Sequence, residues 1–463
     1  MKRAVTPFLL LVALAILALI PFDLGREMPA GDEVEVGNVA WMLTASALVL
    51  LMTPGLSFFY GGMVCSKNVV STMLQSVIAL GVISLLWIVV GFSLAFGDDI
   101  GGIIGDPRTF FMFDHDVASS ITLGEGPSAV KMGIPLLLFS MFQLKFAVLA
   151  PALITGSFAE RVRFSAYLLF MVLFSVIIYS PLAHMTWHPQ GLLAQWGVKD
   201  FAGGTVVHIS AGFAALAGAI FLGRRQAHME NVTHEPANIP YVMLGTGMLW
   251  FGWFGFNAGS ALAADRVATL AFATTNSASA MAMLTWLFLD WARGKKPSAM
   301  GACIGAVVGL VAITPAAGLV TVRHSLVFGF LGAVVSNLAV SMKTKSTLDD
   351  TLDVFPCHGV GGIVGMILTG VFAEEVGLWY GQTETFIYHM IALVIVSVFA
   401  FFGSLALYKI TDMIIPLRVP HDQEVAGLDY SQHGEAAWRL NGSTAHDVPL
   451  VEVQEEALVA GVS

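Results

Sequence analysis

The stretch DFAGGTVVHISAGFAALAGAIFL, residues 200–222, decides the fold of this chain. Its apolar run is long enough to cross the hydrocarbon core of a bilayer, which takes roughly 17 to 25 residues, yet it contains His208. A second stretch, DVFPCHGVGG at residues 353–362, places His358 after Asp353 in a similar way. An ionisable side chain at membrane depth is energetically costly, so a functional role is its default interpretation. The two stretches lie in different halves of the chain and predict one pore built from two repeats.

The amino-acid composition indicates the environment in which the chain folds. The sequence is 56% hydrophobic and only 12% charged, and its mean hydropathy is +0.78. These values are typical of a polytopic membrane protein. We predict an all-α protein of about eleven spans in the plasma (cytoplasmic) membrane. The apolar runs lie near residues 39–60, 69–97, 132–156, 164–184, 203–222, 240–262, 269–292, 299–320, 324–342, 354–373 and 386–410.

The N-terminal segment resembles a secretory signal peptide. Lys2 and Arg3 precede a short apolar run that ends near Ile20, and a polar segment follows. The cleavage motif around Pro29 is weak, so a retained extra helix stays the alternative. We therefore predict three regions: a signal peptide at 1–30, a transmembrane domain at 31–411 and a cytoplasmic tail at 412–463, whose distal part is predicted to be disordered.

The short loops predict the orientation of the chain. If residue 38 lies outside, the cytoplasmic loops hold ten lysines and arginines and the outer loops hold five. The excess of basic residues inside indicates a mature N-terminus outside and a cytoplasmic C-terminus. The cytoplasmic set is Lys67, Arg161, Arg163, Arg224, Arg225, Arg293, Lys295, Lys296, Lys343 and Lys345; the outer set is Arg108, Lys131, Lys199, Arg266 and Arg323.

An odd number of spans in each half has a topological consequence. Two five-helix repeats must be inverted relative to each other around a central pore, as in many transporters, and the eleventh span is then a peripheral helix. His208 and His358 fall inside the hydrocarbon slab in this arrangement. Two neutral imidazoles that share one hydrogen bond leave their outer nitrogens facing along the pore, where they can bond a solute or relay a proton.

Polar and aromatic residues surround this predicted pore. Asp200 and Asp353 stand where their spans begin, so each can cap a helix; for Asp200, direct contact with a cation is the alternative. Aromatic rings can hold a desolvated cation over their faces, and a serine hydroxyl can accept its hydrogen bond, although aromatic stripes in membrane bundles usually serve packing. The candidates are Phe142, Phe146, Trp187, Trp253, Phe256 and Ser260.

Over residues 38–436 the chain resembles the ammonium transporter family, whose wider superfamily includes the Rhesus proteins. The matching strings, in order, are TPGLSFFYGG from residue 53, AERVRF from 159, DFAGGTVVH from 200, GWFGFNAGS from 252, ITPAAG from 313 and HGVGGIVG from 358. Some of these strings are weak singly, but their order along the chain is highly specific.

The resemblance implies a homotrimer with a pore in each subunit, which moves ammonium or ammonia and takes methylammonium as an analogue. It implies a cytoplasmic tail that couples subunits and can meet PII-type signal proteins. It also implies roles for single residues. Phe142, Phe146, Trp187 and Ser260 would recruit ammonium; Phe146 and Phe256 would form a gate; His208 and His358 would line the pore below; Asp200 would be the buried acid that supports the recruitment site.

Several alternatives stay open at this stage. Lys145 precedes the gate residue, where related chains carry an uncharged residue, so it is a candidate modulator of the pore or a packed residue outside it. An ammonium sensor that conducts poorly and a Rhesus-like channel for ammonia or carbon dioxide are rival functions. The three cysteines show no paired metal-ligand spacing, and two histidines are too few ligands for a metalloenzyme. We therefore expect no metal, no cofactor and no enzymatic activity.

Overall fold

The computed structural model describes residues 2–20, 34–113, 119–120, 122–124, 126–230, 232 and 234–438. Most of these residues are helical. The helices, numbered along the chain, are α1 (Lys2–Leu17), α2 (Val36–Met63), α3 (Ser66–Phe96), α4 (Leu136–Phe158), α5 (Phe164–Gln195), α6 (Gly204–Leu222), α7 (Ile239–Gly259), α8 (Arg266–Ala292), α9 (Ala299–Ile313), α10 (Val322–Thr344), α11 (Phe355–Phe372), α12 (Glu384–Ile414) and α13 (His421–Ala426). Two short antiparallel strand pairs, Asp99–Ile100 with Ile104–Gly105 and Thr122–Leu123 with Val130–Lys131, lie in the loop between α3 and α4.

The helices agree with the predicted membrane protein. Within the described ranges, nine of them are long and apolar enough to cross a membrane. The apolar helices α7 and α9 occupy the positions of the sixth and eighth predicted spans, so the arrangement is consistent with eleven spans. Helix α1 is separate from this set: its side chains from Thr6 to Leu17 are mostly exposed. The predicted cleavage site near Pro29, at the end of the signal peptide 1–30, lies outside the described residues, as does the tail segment 439–463.

Polar residues at the sequence positions before several helices explain where those helices begin. A side-chain oxygen that accepts a bond from a first-turn N–H satisfies a donor that has no partner within the helix. Asn238 does this at α7, Asp265 at α8, Ser298 at α9 and Thr321 at α10. Local chemistry of this kind fixes the register of the second half of the bundle.

The two halves of the chain pack as corresponding repeats. Helices α2 and α7, the first helix of each repeat, lie against each other so closely that a Cβ at Gly245 would stand 2.4 Å from the Phe59 nitrogen. Helices α6 and α11, the fifth of each repeat, cross where a Cβ at Gly212 would stand 2.3 Å from the Gly359 Cα. Only glycine permits these approaches. Helix α12 packs against α6 and leaves Val394 and Phe402 exposed, as expected of a peripheral helix facing lipid.

The helices α6 and α11 both begin with an irregular turn. Residues Gly204–Ile209 and Phe355–Val360 are π-helical before each segment continues as an α-helix. Such widened turns occur mostly as short inserts and are frequent at functional sites. Each contains one of the two histidines that the sequence analysis singled out, His208 and His358.

Candidate functional site

A cavity of about 150 Å³ opens at one end of the bundle, beside the loop between α3 and α4. Phe146, Trp187 and Ser260 line it, together with Gln143. The Ser260 hydroxyl donates to the Phe256 carbonyl (2.8 Å), so its oxygen lone pairs remain able to accept a bond. Gln143 was not singled out from the sequence. Its buried Oε1 has no hydrogen-bond partner in the described part of the chain, although it directly follows a predicted site residue.

Aromatic rings close the inner end of this cavity. The Phe146 and Phe256 rings stack with centroids 4.1 Å apart, and Trp187 meets Phe146 edge-on at 5.9 Å. Phe142 is fully buried. It contacts the Phe146 ring edge-on at 5.0 Å and is absent from the cavity wall. The family resemblance assigned Phe142, Phe146 and Trp187 to recruitment and Phe146 and Phe256 to a gate. In the structure the other three rings all contact Phe146, and Phe142 lies behind it, away from the cavity.

The paired histidines lie beyond the stacked phenylalanines. His208 contacts Phe256 at 6.1 Å and stacks on Trp253 at 5.3 Å between ring centroids. Its Nδ1 lies 3.2 Å from the Nδ1 of His358. One of these nitrogens must carry the hydrogen and the other must accept it, so the two outer Nε2 atoms have opposite character, one an acceptor and one a donor.

Burial and hydrogen bonding fix the position of the histidine pair and leave the Nε2 atom of His208 able to bind a solute. The Trp253 ring is anchored by its Nε1, which donates to Thr314 Oγ1 at 2.9 Å, and so fixes the plane on which His208 stacks. His208 is completely buried, and its Nε2 has no partner among the described residues. His358 is 4% exposed. A buried unpaired nitrogen is energetically costly unless something binds it, which favours a solute or water at this point.

Asp200 accepts a full set of hydrogen bonds from the start of α6. Its Oδ1 accepts from Gly203 N (2.9 Å) and Gly204 N (2.6 Å), and its Oδ2 accepts from Thr205 N (2.7 Å) and from the Thr205 hydroxyl. Trp187 Nε1 donates to the Asp200 carbonyl at 3.0 Å. Asp200 therefore joins the cavity to the π-helical turn, and its carboxylate lone pairs are occupied by the protein.

The corresponding acid of the second repeat is Asp350, and the choice of Asp353 from the sequence needs correction. Asp350 accepts from Val354 N (3.1 Å) and Phe355 N (2.8 Å) and precedes its histidine by the same eight residues as Asp200. Asp353 instead adopts a left-handed backbone (φ +58°) and pairs with Lys343 at 2.8 Å. Burial, together with the charge of Asp353, raises the pKa of Asp350 to about 6. The equal spacing was the sequence signal that identifies Asp350.

Lys145 lies on α4 next to Phe146 but outside the cavity wall. Its side chain is half-buried. The described part of the chain offers its ammonium group neither an ion pair nor a hydrogen bond. The structure thus separates this charge from the cavity that Phe146 lines.

Buried charges join three loops at the opposite end of the bundle from the cavity. Arg225 donates to both carboxylate oxygens of Asp349 (2.9 and 3.0 Å) and to Glu160 Oε2 (2.7 Å). Burial alone would raise the pKa of Asp349, but the hydrogen bonds from Arg225 and the charge of Arg161 lower it to about 2. Burial lowers the pKa of Arg161 to about 10. The sequence analysis counted Arg161 and Arg225 only as loop charges and did not single out Glu160 or Asp349.

The tail docks beside this charged cluster. Gln226 N donates to Glu424 Oε1 (2.7 Å), and Lys67 Nζ donates to the Val425 carbonyl (2.6 Å). Leu428 N donates to Asn68 Oδ1 at 2.8 Å. The segment after α12 is therefore attached to the loops that end α2 and α6.

Comparisons with known proteins agree with this architecture. Residues 40–438 match the model of the Ammonium Transporter Family. An ammonium transporter of Aquifex aeolicus is 45% identical over 417 residues, which cover 88% of this chain and 95% of that protein. The crystal structure of Candida albicans Mep2 is 33% identical with a TM-score of 0.77 and covers 84% and 88% of the two chains. A solved structure described as a sensor Amt protein is 28% identical with a TM-score of 0.77 and covers 86% and 98%.

The family match spans nearly all of the helical bundle and includes both histidine segments, the aromatic cavity and the docked part of the tail. The chain is a multi-pass membrane protein, and it belongs to the ammonium transporter family.

Proposed function

We propose that this protein carries ammonium across the cytoplasmic membrane by separating it into ammonia and a proton. The cation is recruited in the aromatic cavity, loses its proton, and passes as ammonia between Phe146 and Phe256 to the histidine pair. The proton is relayed separately, so net transport is electrogenic. The observation that carries this proposal is the unbroken sequence of cavity, stacked phenylalanines and paired imidazoles, with an unpaired Nε2 on His208.

The cavity chemistry supports recruitment of a small cation. The faces of Phe146 and Trp187 attract positive charge, and the Ser260 oxygen and Gln143 Oε1 can each accept a hydrogen bond from ammonium. Potassium and sodium gain the aromatic contact but have no hydrogen to donate. The cavity therefore favours ammonium and its methyl derivative over metal cations of similar size.

The apolar constriction between Phe146 and Phe256 favours a solute that can pass it without charge. Moving a unit charge from water into an apolar site costs many kcal/mol unless protein groups compensate it. Ammonium can avoid this cost by leaving a proton behind, whereas potassium cannot. Beyond the constriction, the two Nε2 atoms provide one donor and one acceptor for ammonia, or for a proton that moves along the imidazoles.

Currents from reconstituted proteoliposomes test this proposal. Wild-type protein should respond to ammonium and methylammonium and give little response to potassium. His208→Ala and His358→Ala should each lose transport or lose selectivity over potassium, while His421→Ala, a change at an exposed histidine of the tail, should behave as wild type. Electroneutral transport, or retained selectivity in His208→Ala, would contradict the mechanism.

An ammonium sensor that conducts poorly is the second candidate function. The fold match to the sensor Amt protein favours it. A sensor would bind ammonium in the cavity, and so show a ligand-dependent change in Trp187 fluorescence, but would give neither current nor methylammonium uptake.

The proposal includes the oligomeric state, the membrane orientation and a partner of the protein. We expect a homotrimer, with the mature N-terminus outside and the tail in the cytoplasm, where it can meet a PII-type signal protein. Exposed apolar side chains such as Met243, Leu244 and Phe251 on α7 are available for lipid or subunit contacts. The mass of the detergent-solubilised particle, measured by light scattering, tests the trimer.

A further inference from the structure

Three loops at the tail-bearing end of the bundle bring together residues that the sequence does not associate. Cys65 follows α2, Glu160 lies between α4 and α5, and His234 precedes α7. One ligand atom from each, the thiol sulfur, a carboxylate oxygen and a ring nitrogen, lies within 4.8 Å of the other two. From this grouping we infer that Cys65, Glu160 and His234 form a binding site for Zn²⁺.

The spacing of the three atoms suits a tetrahedral ion. For metal–ligand distances of about 2.0 to 2.3 Å, the ligand atoms of a tetrahedral site lie roughly 3.3 to 3.7 Å apart. Glu160 Oε1 is already 3.2 Å from His234 Nε2, and the remaining distances, all within 4.8 Å, need to shorten by at most about 1.5 Å. Side-chain rotation of Cys65 and His234 supplies such a movement, because each lies in a loop.

Glu160, which lies between the other two proposed ligands, is held in position by neighbouring side chains. Glu160 is 5% exposed and has a left-handed backbone (φ +73°). Its Oε2 is bound by Arg225, which is itself bound by both oxygens of Asp349. Hydrogen bonds of this kind, from side chains that do not themselves bind the ion, orient a metal-binding carboxylate and are usual in metal sites. Oε1 accepts a hydrogen bond from the Cys65 backbone N (2.6 Å) and lies 3.2 Å from His234 Nε2, so it faces both of the other residues.

The chemistry and accessibility of the site favour zinc. A thiolate, an imidazole and a carboxylate are the three ligand types that zinc takes in proteins, whereas magnesium and calcium prefer oxygen alone. The His234 side chain is 28% exposed and Cys65 is half-buried, so the ion can enter from solvent and a water can complete four ligands. The site lies beside the loop residues that hold the tail, Lys67 and Asn68.

A second group of residues has metal-ligand spacing but does not compete with this inference. Asp99, His184 and His188 also lie within 4.8 Å of one another, at the cavity end of the bundle. The His184 and His188 rings are stacked nearly parallel, 4.4 Å apart and inclined by 11°. An ion cannot lie in both ring planes without a rotation of one ring. This group contains no thiol, so spectroscopy distinguishes the two.

Cobalt substitution tests the proposal on the full-length protein in detergent. Co²⁺ added to wild-type protein should give the near-ultraviolet charge-transfer absorption of a thiolate ligand, and Zn²⁺ should abolish it at one equivalent. Cys65→Ser should lose the absorption, and His234→Asn should weaken zinc binding at least about 10-fold, measured by competition with a chromophoric chelator. Cys303→Ser and His421→Asn are matched controls that should leave both readouts unchanged.

Thermal unfolding provides a readout that does not depend on spectroscopy. Zinc that binds the folded protein should raise the unfolding midpoint of wild type and of the two controls, and should not raise that of Cys65→Ser. Absence of the thiolate absorption in wild type, or binding that persists unchanged in Cys65→Ser and His234→Asn, would show an adventitious ion only and overturn the inference. None of these measurements requires transport, so their failure is separate from failure of the proposed function.

Discussion

Replacement of Asp200 by Asn separates a structural role for this acid from direct contact with ammonium. The Asp200 carboxylate accepts four hydrogen bonds, three from backbone N–H groups and one from a hydroxyl. Asparagine has one acceptor oxygen, and its NH₂ group would face donors. It can keep the bonds to Gly203 and Gly204, but it loses those from Thr205.

The expected magnitude follows from the number of bonds lost. Hydrogen bonds to a charged group contribute about 1.5 to 3 kcal/mol each, and a buried donor left without a partner adds its own desolvation penalty. Loss of two such bonds in Asp200→Asn should lower the free energy of unfolding by at least about 3 to 6 kcal/mol. The π-helical turn that positions His208 should loosen with it, so methylammonium uptake should fall together with stability.

The matched control is Asp265→Asn at the start of α8. Asp265 is exposed, and among the described residues its carboxylate accepts a single bond, from Ala268 N at 2.9 Å. Asparagine caps a helix about as well as aspartate. This variant should change stability by less than about 0.5 kcal/mol. Thermal unfolding in detergent compares the two proteins with wild type. If Asp200→Asn unfolds like Asp265→Asn while its ammonium affinity falls, the carboxylate contacts the cation and the structural reasoning is refuted.

Three further perturbations follow from the loop charges and from Lys145. Arg225→Gln should destabilise the protein by about 3 to 5 kcal/mol, because it leaves Asp349 and Glu160 buried without their partner; Arg225→Lys, which keeps the charge, should cost less in the same unfolding assay. Because the pKa of Asp349 is lowered to about 2 in the folded chain, its contribution is present above the unfolded pKa and is lost as pH falls through about 2. That contribution of about 2 kcal/mol should be missing from the acid unfolding curve of Asp349→Asn. Lys145→Thr should change methylammonium uptake less than about twofold, since the side chain lies outside the cavity wall; a large change in rate would place its charge in the permeation path.

The sequence alone was sufficient for the features that depend on local chemistry. Hydropathy and span length predicted a polytopic helical protein, since the bilayer leaves helices as the simplest way to satisfy backbone groups. The position of His208 and His358 within apolar runs predicted a pore, because ionisable groups at that depth require a reason. Ordered motifs carried the family resemblance, and three of the aromatic rings to which that resemblance gave roles, those of Phe142, Trp187 and Phe256, do contact the fourth, that of Phe146.

Features that depend on contacts between distant segments needed the tertiary structure. The sequence analysis chose Asp353 as the counterpart of Asp200. The spacing to the histidine is compatible with Asp350, but only the hydrogen bonds to Val354 N and Phe355 N show that Asp350 takes this role. The position of Phe142 behind Phe146 depends likewise on how α4 packs.

The grouping of Cys65, Glu160 and His234 is the clearest example of a feature that could not be predicted from the sequence. At least two membrane spans lie between each of these residues and the next along the chain. No spacing rule for metal ligands therefore applies to them. They meet only because α2 and α4 end, and α7 begins, at the same face of the bundle. The sequence by itself determined that the chain crosses the membrane as helices and places two histidines within it; the tertiary structure decided which side chains face each other, because those distances are set by helix packing.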